Sequence, residues 1–200
     1  MDKNVFEFWF DFASTYSYLS VYRIKHLAQE HGIKIRWNPF LLGPIFNSQG
    51  WDTSPFNIYK AKGDYMWRDI TRLSEKYQIP FKRPSQFPRN GLLASRIALA
   101  FESESWVPEF IRGVFSANFV EDKDIADEEV ISSILNSLGL DAVSIIAQAK
   151  SQKSKDKLRA QTQLATDKGI FGAPSFVIGE EIFWGNDRLE DAFLWYKKHD

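Results

Sequence analysis

The sequence predicts an α/β protein in which one sheet is interrupted by a long helical insertion. Three observations lead to this prediction: a strand–helix–strand pattern fills residues 5–40, helical patterns fill residues 59–168, and two short strand patterns followed by a helix fill residues 173–199. The order βαβ, helices, ββα therefore favours a sheet that is assembled from both ends of the chain.

The first strand–helix–strand unit is the best defined. Residues 5–12 are rich in Phe and Trp and alternate loosely with acidic residues, which is typical of a strand. Residues 16–30 repeat apolar side chains at spacings of three and four, and Gly32 follows where a helix would end. Residues 33–40, IKIRWNPF, predict a second strand. A right-handed crossover would make the two strands parallel.

The rest of the chain contains mostly helical patterns. Residues 41–52 contain Gly43, Pro44 and Gly50 without a stable period and are predicted to form a loop. Helices are predicted over 59–77, 91–104, 108–119, 127–138 and 151–168, and a hairpin over 173–178 and 181–184 precedes a last helix over 187–199. We therefore expect residues 1–52 and 169–200 to form the sheet domain and residues 53–168 a helical insertion domain.

Composition excludes several classes of function. The 25 Lys and Arg residues balance 26 Asp and Glu residues, so no overall charge favours nucleic acid or an anionic membrane. Cysteine is absent, which excludes disulfides, thiolate metal sites and Cys nucleophiles, so any thiol chemistry must use a thiol from another molecule. The three histidines are expected at the surface, not as metal ligands or bases. The N-terminal segment is interrupted by Glu7 and Asp11 and predicts a cytoplasmic protein without a signal peptide.

Three short segments could carry chemistry, and each also has an ordinary structural interpretation. Ser14 is placed to cap the first helix, whose free amides would also stabilise a bound anion such as a thiolate. Pro174 begins a strand; a trans bond is the common case, whereas a cis bond would leave the Ala173 backbone groups free to pair with an extended peptide. We expect the cis bond, because Pro174 lies at a strand entry opposite the Ser14 turn. Asp187 with Glu190 resembles a capping box, and the same helix start could bind a carboxylate.

Together, these segments in this order resemble the glutathione-dependent branch of the DsbA-like thioredoxin fold, which includes 2-hydroxychromene-2-carboxylate isomerases and kappa-class glutathione transferases. The resemblance covers nearly the whole chain through the strings FDFASTYSYL, LLGPIFNSQGW, AKGDYMWRD, GIFGAPSFV and FWGNDRLE. GPIF, YMWRD and FWGNDRLE are more similar to the isomerases than to the kappa class. The resemblance implies a thioredoxin-like, DsbA-type sheet domain with an all-helical insertion.

The resemblance also implies a site. Ser14, at the position of the family's CxxC motif, would hydrogen-bond the sulfur of glutathione, favour its thiolate and serve as the catalytic residue. The glutathione-binding residues would be Ser14, Thr15, Tyr16, Lys62, Ala173, Pro174, Asn186 and Asp187, with either Trp51 or Asp52 at a loop position that is often asparagine. Thr15 stands where such proteins usually have proline, which would slightly loosen the turn. No metal ligand is implied.

The implied activity is a glutathione-dependent isomerisation between 2-hydroxychromene-2-carboxylate and trans-o-hydroxybenzylidenepyruvate, in the catabolism of aromatic compounds. Two alternatives stay open: a kappa-like transferase that consumes glutathione by conjugating electrophiles, and a non-catalytic module that binds glutathione or a peptide. A small aromatic acid is the expected substrate and a homodimer the expected assembly. Neither nucleic acid nor a membrane is an expected partner.

Overall fold

The computed structural model describes residues 5–199; the beginning of the N-terminal segment considered above, residues 1–4, lies outside the described residues. Both ends of the chain contribute to one four-stranded sheet with the order β2-β1-β3-β4. Its strands are β1 (Phe6–Phe10), β2 (Ile35–Pro39), β3 (Ser175–Ile178) and β4 (Glu181–Trp184). β1 is parallel to β2 and antiparallel to β3, and β3 and β4 form the hairpin. The predicted sheet is therefore confirmed.

Helices make up most of the remainder. In chain order they are α1 (Thr15–His31), α2 (Leu42–Ser48), α3 (Pro55–Ile58), α4 (Lys60–Tyr77), α5 (Leu92–Ala100), α6 (Val107–Phe119), α7 (Glu128–Ser137), α8 (Ala142–Lys150), α9 (Gln152–Asp167) and α10 (Leu189–His199). The helical insertion between β2 and β3 agrees with the predicted fold class.

The alternation of β1 explains why this strand is so rich in aromatic residues. Phe6, Phe8 and Phe10 belong to the main core, where the ring of Phe6 stacks on that of Phe193 from α10 with centroids 4.5 Å apart. Trp9 points to the opposite face and joins a smaller core with Phe40. The sheet is thus covered on both faces, and each fully buried ring contributes about 1.5–3 kcal/mol.

The ends of α1 follow the predicted signals. The Ser14 hydroxyl accepts a hydrogen bond from the Ser17 amide at 3.1 Å, so Ser14 is the N-cap. Gly32 adopts the left-handed conformation, with φ of 67°, and ends the helix as predicted. The N-terminal end of α1 therefore lies just after β1, where the structure places the candidate site.

The prediction of a loop over residues 41–52 is wrong, because α2 occupies most of it. Pro44 is tolerated because it lies in the first turn, where an amide has no acceptor within the helix. The amide of Leu42 finds its acceptor outside the helix, on Oδ2 of Asp11 at 2.8 Å. The short helices α3 and α8 were not predicted either, although Asp141 caps α8 in the usual way.

The main hydrophobic core is shared by the sheet and the helical segment. The ring of Phe12 lies 5.0 Å from that of Phe115 in α6, and Met66 of α4 is buried in the same core. The division into two domains at residues 52/53 and 168/169 stays a prediction.

Residues 5–199 contain neither a membrane-spanning helix nor a metal-binding cluster of side chains. No helix in this range is long and apolar enough to cross a membrane. Nor does this range contain a cluster of three or more His, Asp or Glu side chains arranged to hold a metal ion. His26 and His199 are exposed, but the expected surface position is wrong for His31, which is half-buried with its ring 5.5 Å from that of Phe193.

Candidate active site

A cavity of about 1200 Å³ lies at the N-terminal end of α1, between the sheet and the helical segment. It brings together segments that are far apart in the sequence. The predicted site residues that line it are Ser14, Thr15, Tyr16, Trp51, Asp52, Lys62, Ala173, Asn186 and Asp187. Pro174 is buried and does not contribute to the lining.

Ser14 forms the link between two of these segments. Its hydroxyl donates a hydrogen bond to the carbonyl oxygen of Ala173 at 3.0 Å, across 159 positions of sequence, while it accepts from Ser17. The amides of Thr15 and Tyr16 occupy the first two positions of the helix, where no intrahelical acceptor exists. The positive end of the helix and these amides make the neighbourhood of Ser14 favourable for a bound anion.

The peptide bond between Ala173 and Pro174 is cis, as expected from its position at the strand entry. The expectation that a cis bond leaves both Ala173 backbone groups free is wrong for the carbonyl, because the Ser14 hydroxyl occupies it. The Ala173 amide makes no hydrogen bond with any part of the chain that the structure describes. One donor therefore stays available beside Ser14.

Asn186 is 2% exposed and carries an unsatisfied donor. Its Oδ1 accepts from the Ser20 hydroxyl at 3.1 Å and from the Arg23 guanidinium at 2.8 Å. Because arginine only donates hydrogen bonds, the oxygen must face Arg23, which fixes the orientation of the amide. Nδ2 is consequently buried with no acceptor among the described residues, an arrangement that costs about 1–3 kcal/mol.

The capping box predicted for Asp187 and Glu190 is wrong. A short 3-10 turn over residues 186–188 precedes α10, and no side chain caps it. Asp187 is exposed and lies 3.1 Å from Arg188, whereas Glu190 forms an ion pair with Arg23. The Asp187 carboxylate therefore stays at the cavity and is not used by the helix.

Tyr16 connects α1 to α4 through a residue that sequence reasoning did not single out. Its hydroxyl donates to Oδ2 of Asp69 at 3.0 Å, and both residues line the cavity. Burial raises the pKa of Tyr16, and the charge of Asp69 and the hydrogen bond raise it further. The phenol therefore stays protonated. Asp69 belongs to the string AKGDYMWRD, so the signal was present in the sequence.

Asp11 is a second residue that sequence reasoning missed. It is 7% exposed and lines the cavity, with Oδ1 accepting from the Ala13 amide at 2.7 Å and Oδ2 from the Leu42 amide. Burial raises the pKa of this carboxyl, and the two hydrogen bonds oppose that increase. Asp11 thereby fixes the turn before Ser14 to the beginning of α2.

Aromatic rings form much of the remaining wall. The ring centroids of Phe46 and Trp51 lie 5.8 Å apart. The rings of Phe171 and Trp184 meet edge to face with centroids 4.8 Å apart, and these two side chains are each about half exposed. Phe56 also lines the cavity, whereas Phe40 is buried in the smaller core, so the aromatic residues of this region divide between the cavity and the core.

Two charged residues at the cavity are exposed in addition to Asp187 and Arg188. Asp52, beside Trp51, is one of them. The other is Lys62, whose Nζ lies 4.9 Å from the centre of the Tyr59 ring and forms no ion pair with the residues between 5 and 199.

Comparison with known proteins places this arrangement in a family. The family model for the DSBA-like thioredoxin domain matches residues 5–193. A 2-hydroxychromene-2-carboxylate isomerase of Pseudomonas putida is 30% identical over 189 residues, which cover 92% of this chain and 90% of the relative. The chain belongs to this isomerase family of DsbA-like thioredoxin-fold proteins.

Two further comparisons agree with this assignment. A solved structure of a 2-hydroxychromene-2-carboxylate isomerase superimposes with a TM-score of 0.87 at 28% identity, covering 97% of this chain and 95% of that one. Glutathione S-transferase kappa 1 of Rattus norvegicus is 27% identical over 204 residues, covering 94% of this chain and 88% of the relative. The resemblance and the fold class predicted from the sequence are confirmed, and by its family the chain is an enzyme.

Proposed function

We propose that this protein is a glutathione-dependent isomerase that interconverts 2-hydroxychromene-2-carboxylate and trans-o-hydroxybenzylidenepyruvate. The observation that carries the proposal is the hydrogen bond from Ser14 to Ala173, since it joins the N-terminal end of α1 to the residue before Pro174 in one cavity. The name of the Pseudomonas putida relative supports this reaction, and the rat relative supports the use of glutathione.

The donors and acceptors at the cavity fit a tripeptide thiol. Glutathione has two carboxylates, an ammonium group, peptide groups and a thiol. The Asn186 amide and the Lys62 ammonium could donate hydrogen bonds to the carboxylates, and the Asp187 carboxylate could accept from the ammonium group. The Ala173 amide could donate to a peptide carbonyl. The sulfur could accept from the Ser14 hydroxyl and from the amides of Thr15 and Tyr16. The orphaned Nδ2 of Asn186 is the sharpest of these, because a ligand carboxylate would satisfy it.

Ser14 would act as a hydrogen-bond donor and not as a nucleophile. Activation of a serine nucleophile needs an adjacent base, and among residues 5–199 the Ser14 hydroxyl is hydrogen-bonded only to the Ala173 carbonyl and the Ser17 amide, neither of which is a base of that kind. A neutral hydroxyl bonded to a thiolate favours the charged form and lowers the pKa of the thiol. When bound, glutathione would supply a thiolate that adds reversibly to the conjugated double bond of the substrate and allows rotation about it.

The size and lining of the cavity suit two molecules at once. Its volume of about 1200 Å³ exceeds the roughly 300–1000 Å³ of a site for one small ligand. The polar groups around Ser14 would hold the tripeptide, and the aromatic pairs formed by Phe46 with Trp51 and Phe171 with Trp184 would hold the aromatic acid.

The test is a calorimetric titration with glutathione, followed by assays in which glutathione is quantified before and after turnover. We expect saturable binding and interconversion of the two acids without loss of glutathione. Consumption of glutathione with an electrophile, and no turnover of the chromene, would instead support a kappa-like transferase, which the rat relative favours as the second candidate. Binding without turnover of either substrate would indicate a binding module, and absence of binding would reject the proposal.

A further inference from the structure

The aromatic rings that would hold the aromatic acid cannot balance the charge of its carboxylate. The cationic side chains that line the cavity among residues 5–199 are Lys62, Arg89 and Arg188. Lys62 is assigned to glutathione, and Arg188 donates to the carboxylates of Asp187 and Asp191. We propose that Arg89, together with the N-terminal end of α5, forms an anion site for the carboxylate of the aromatic acid. This inference rests on the proposed function and deepens it.

Arg89 is a buried arginine with an unused donor. Its side chain is 3% exposed, although the residue lines the cavity. Nη1 donates to the carbonyl and side-chain oxygens of Asn118 at 3.2 and 3.3 Å, and Nη2 donates to Asp122 and Ser85. Nε–H has no acceptor among the described residues, and the bonds of the other two nitrogens prevent the guanidinium from turning to find one. Since buried donors are normally paired, the free Nε–H indicates a ligand acceptor.

The charges around Arg89 favour an anion. Asp122 is its partner, with Oδ1 2.5 Å from Nη2, and Nζ of Lys82 lies 3.5 Å from the other carboxylate oxygen. Two cations thus share one anion, and the cluster keeps an excess of positive charge. Because Arg89 is buried, water and salt screen its charge weakly. A ligand carboxylate would balance this charge, whereas a neutral ligand would not.

The N-terminal end of α5 adds free amides beside this arginine. Asn90 and Gly91 precede this helix of nine residues, and both line the cavity. The Asn90 side chain accepts from the amide of Leu92 at 2.9 Å, while the amides of Leu93 and Ala94 have no acceptor among the described residues. Amides in the first turn of a helix point toward the residues that precede it, so the positive end of α5 faces the cavity.

The anion site lies close to the turn before Ser14. A Cβ atom on Gly91 would come 2.6 Å from Cβ of Phe12, so the beginning of α5 packs directly against this turn. Asn118 makes a second link, because its Nδ2 donates to the carbonyl of Phe12 at 3.1 Å while its Oδ1 accepts from Arg89. In the aromatic acid, one carbonyl carbon separates the carboxylate from the conjugated double bond. A carboxylate held by Arg89 would therefore keep that double bond near a sulfur at Ser14.

The experiment compares two ligands that differ in the carboxylate. One is 2-oxo-4-phenylbutanoate, a saturated analogue of the acid that cannot add a thiol, and the other is the neutral ketone 4-phenylbutan-2-one. Each is titrated by calorimetry into the wild type, Arg89→Lys and Arg83→Lys, with and without saturating glutathione. Lysine keeps the charge that pairs with Asp122 but has no Nε–H. Arg83 is exposed on the same segment and does not line the cavity, so Arg83→Lys is the matched control.

We expect the acid to bind the wild type and Arg83→Lys roughly 10- to 100-fold more tightly than Arg89→Lys, as for loss of a hydrogen bond to a charged group. The ketone and glutathione should bind equally to all three proteins. Equal affinities of the acid for the wild type and Arg89→Lys, or an equal loss for the ketone, would overturn the anion site. Failure of the wild type to bind glutathione would reject the proposed function alone, because the acid titration without glutathione still reports on Arg89.

A measurement on the wild type gives the answer if Arg89→Lys does not fold. The Nε–H group of a buried arginine gives its own proton–nitrogen signal in NMR spectra. Addition of 2-oxo-4-phenylbutanoate should move the proton shift of the Arg89 signal downfield, as a new hydrogen bond does, and 4-phenylbutan-2-one should not. An Arg89 signal that does not respond to the acid would overturn the anion site.

Discussion

Replacement of Asn186 by aspartate separates a ligand-binding role of this side chain from a structural one. Oδ1 accepts from Ser20 and Arg23, and a carboxylate oxygen at the same position can accept both hydrogen bonds. Nδ2 is the donor without an acceptor, and aspartate has no such donor. We therefore expect Asn186→Asp to keep the fold and to lose affinity for a carboxylate ligand.

The two effects can be estimated from the structure. Removal of a buried unsatisfied donor recovers about 1–3 kcal/mol, and the desolvation of the new carboxylate opposes this gain. Arg23, whose side chain is 9% exposed, would offset part of that desolvation. The free energy of unfolding should therefore stay within about 1 kcal/mol of the wild type. Loss of a hydrogen bond to a ligand carboxylate should weaken glutathione binding roughly 10- to 100-fold, and charge repulsion adds to this.

The assay pairs glutathione titration calorimetry with urea unfolding on the same samples. Asn136→Asp is the matched control, because Asn136 is exposed on α7 and does not line the cavity. It should leave both measurements close to those of the wild type. Undiminished glutathione affinity in a folded Asn186→Asp protein would refute the reasoning, and parallel losses of stability and affinity would leave Asn186 with a structural role alone.

Three further predictions concern charge and assembly. Lys62→Gln should weaken glutathione binding about two- to fivefold, and the loss should be larger at low salt. Lys60 forms an ion pair with Asp64, so Lys60→Gln is the control and should leave the affinity unchanged. Equal dissociation constants for the two variants would contradict a contact between glutathione and Lys62. Burial raises the pKa of Asp11, so the native state binds this proton more tightly than the unfolded chain does. The free energy of unfolding of the wild type should therefore fall as the pH rises from 3.8, the usual pKa of this carboxyl, to its higher native pKa. Urea unfolding at a series of pH values should show this fall for the wild type and not for Asp11→Asn. Sedimentation should give twice the chain mass of 23.2 kDa for the expected homodimer, and a value near 23.2 kDa would reject it.

The elements that were predicted correctly carry their signals within a few residues. β1 and α1 have clear apolar patterns, and Ser14 and Gly32 mark the helix ends by local hydrogen bonding and backbone conformation. α2 lacks such a signal, because Gly43 and Pro44 favour a loop and the acceptor for its first amide belongs to Asp11, 31 positions away. A local pattern contains no information on that contact.

The omission of α8 has a different cause. Asp141 precedes a run whose apolar residues Ala142, Ile145 and Ala149 recur at spacings of three and four, which is the usual sign of a capped helix. The structure confirms both the cap and the buried face. This helix was therefore open to prediction from the sequence, whereas α2 was not.

The candidate site shows the same division between local and distant signals. The family resemblance implied that Ser14, Ala173 and Asn186 belong to one site, and the structure brings all three to one cavity. The bond between the Ser14 hydroxyl and the Ala173 carbonyl could not be read from either string, since each is compatible with other partners. The resemblance thus indicated residues that meet at one cavity but not the hydrogen bonds between them.

The residue at position 15 shows how distant contacts replace a local constraint. Proline in the first turn would fix φ there, and its absence led to the expectation of a looser turn. Thr15 is instead 1% exposed, with Oγ1 donating to Sδ of Met66 at 3.0 Å, and Tyr16 is held by Asp69 one turn further along α4. Because α4 fixes both residues, it also positions the amides proposed to face the sulfur. The proposed thiolate site would therefore depend on the packing of the helical segment against the sheet as much as on the turn itself.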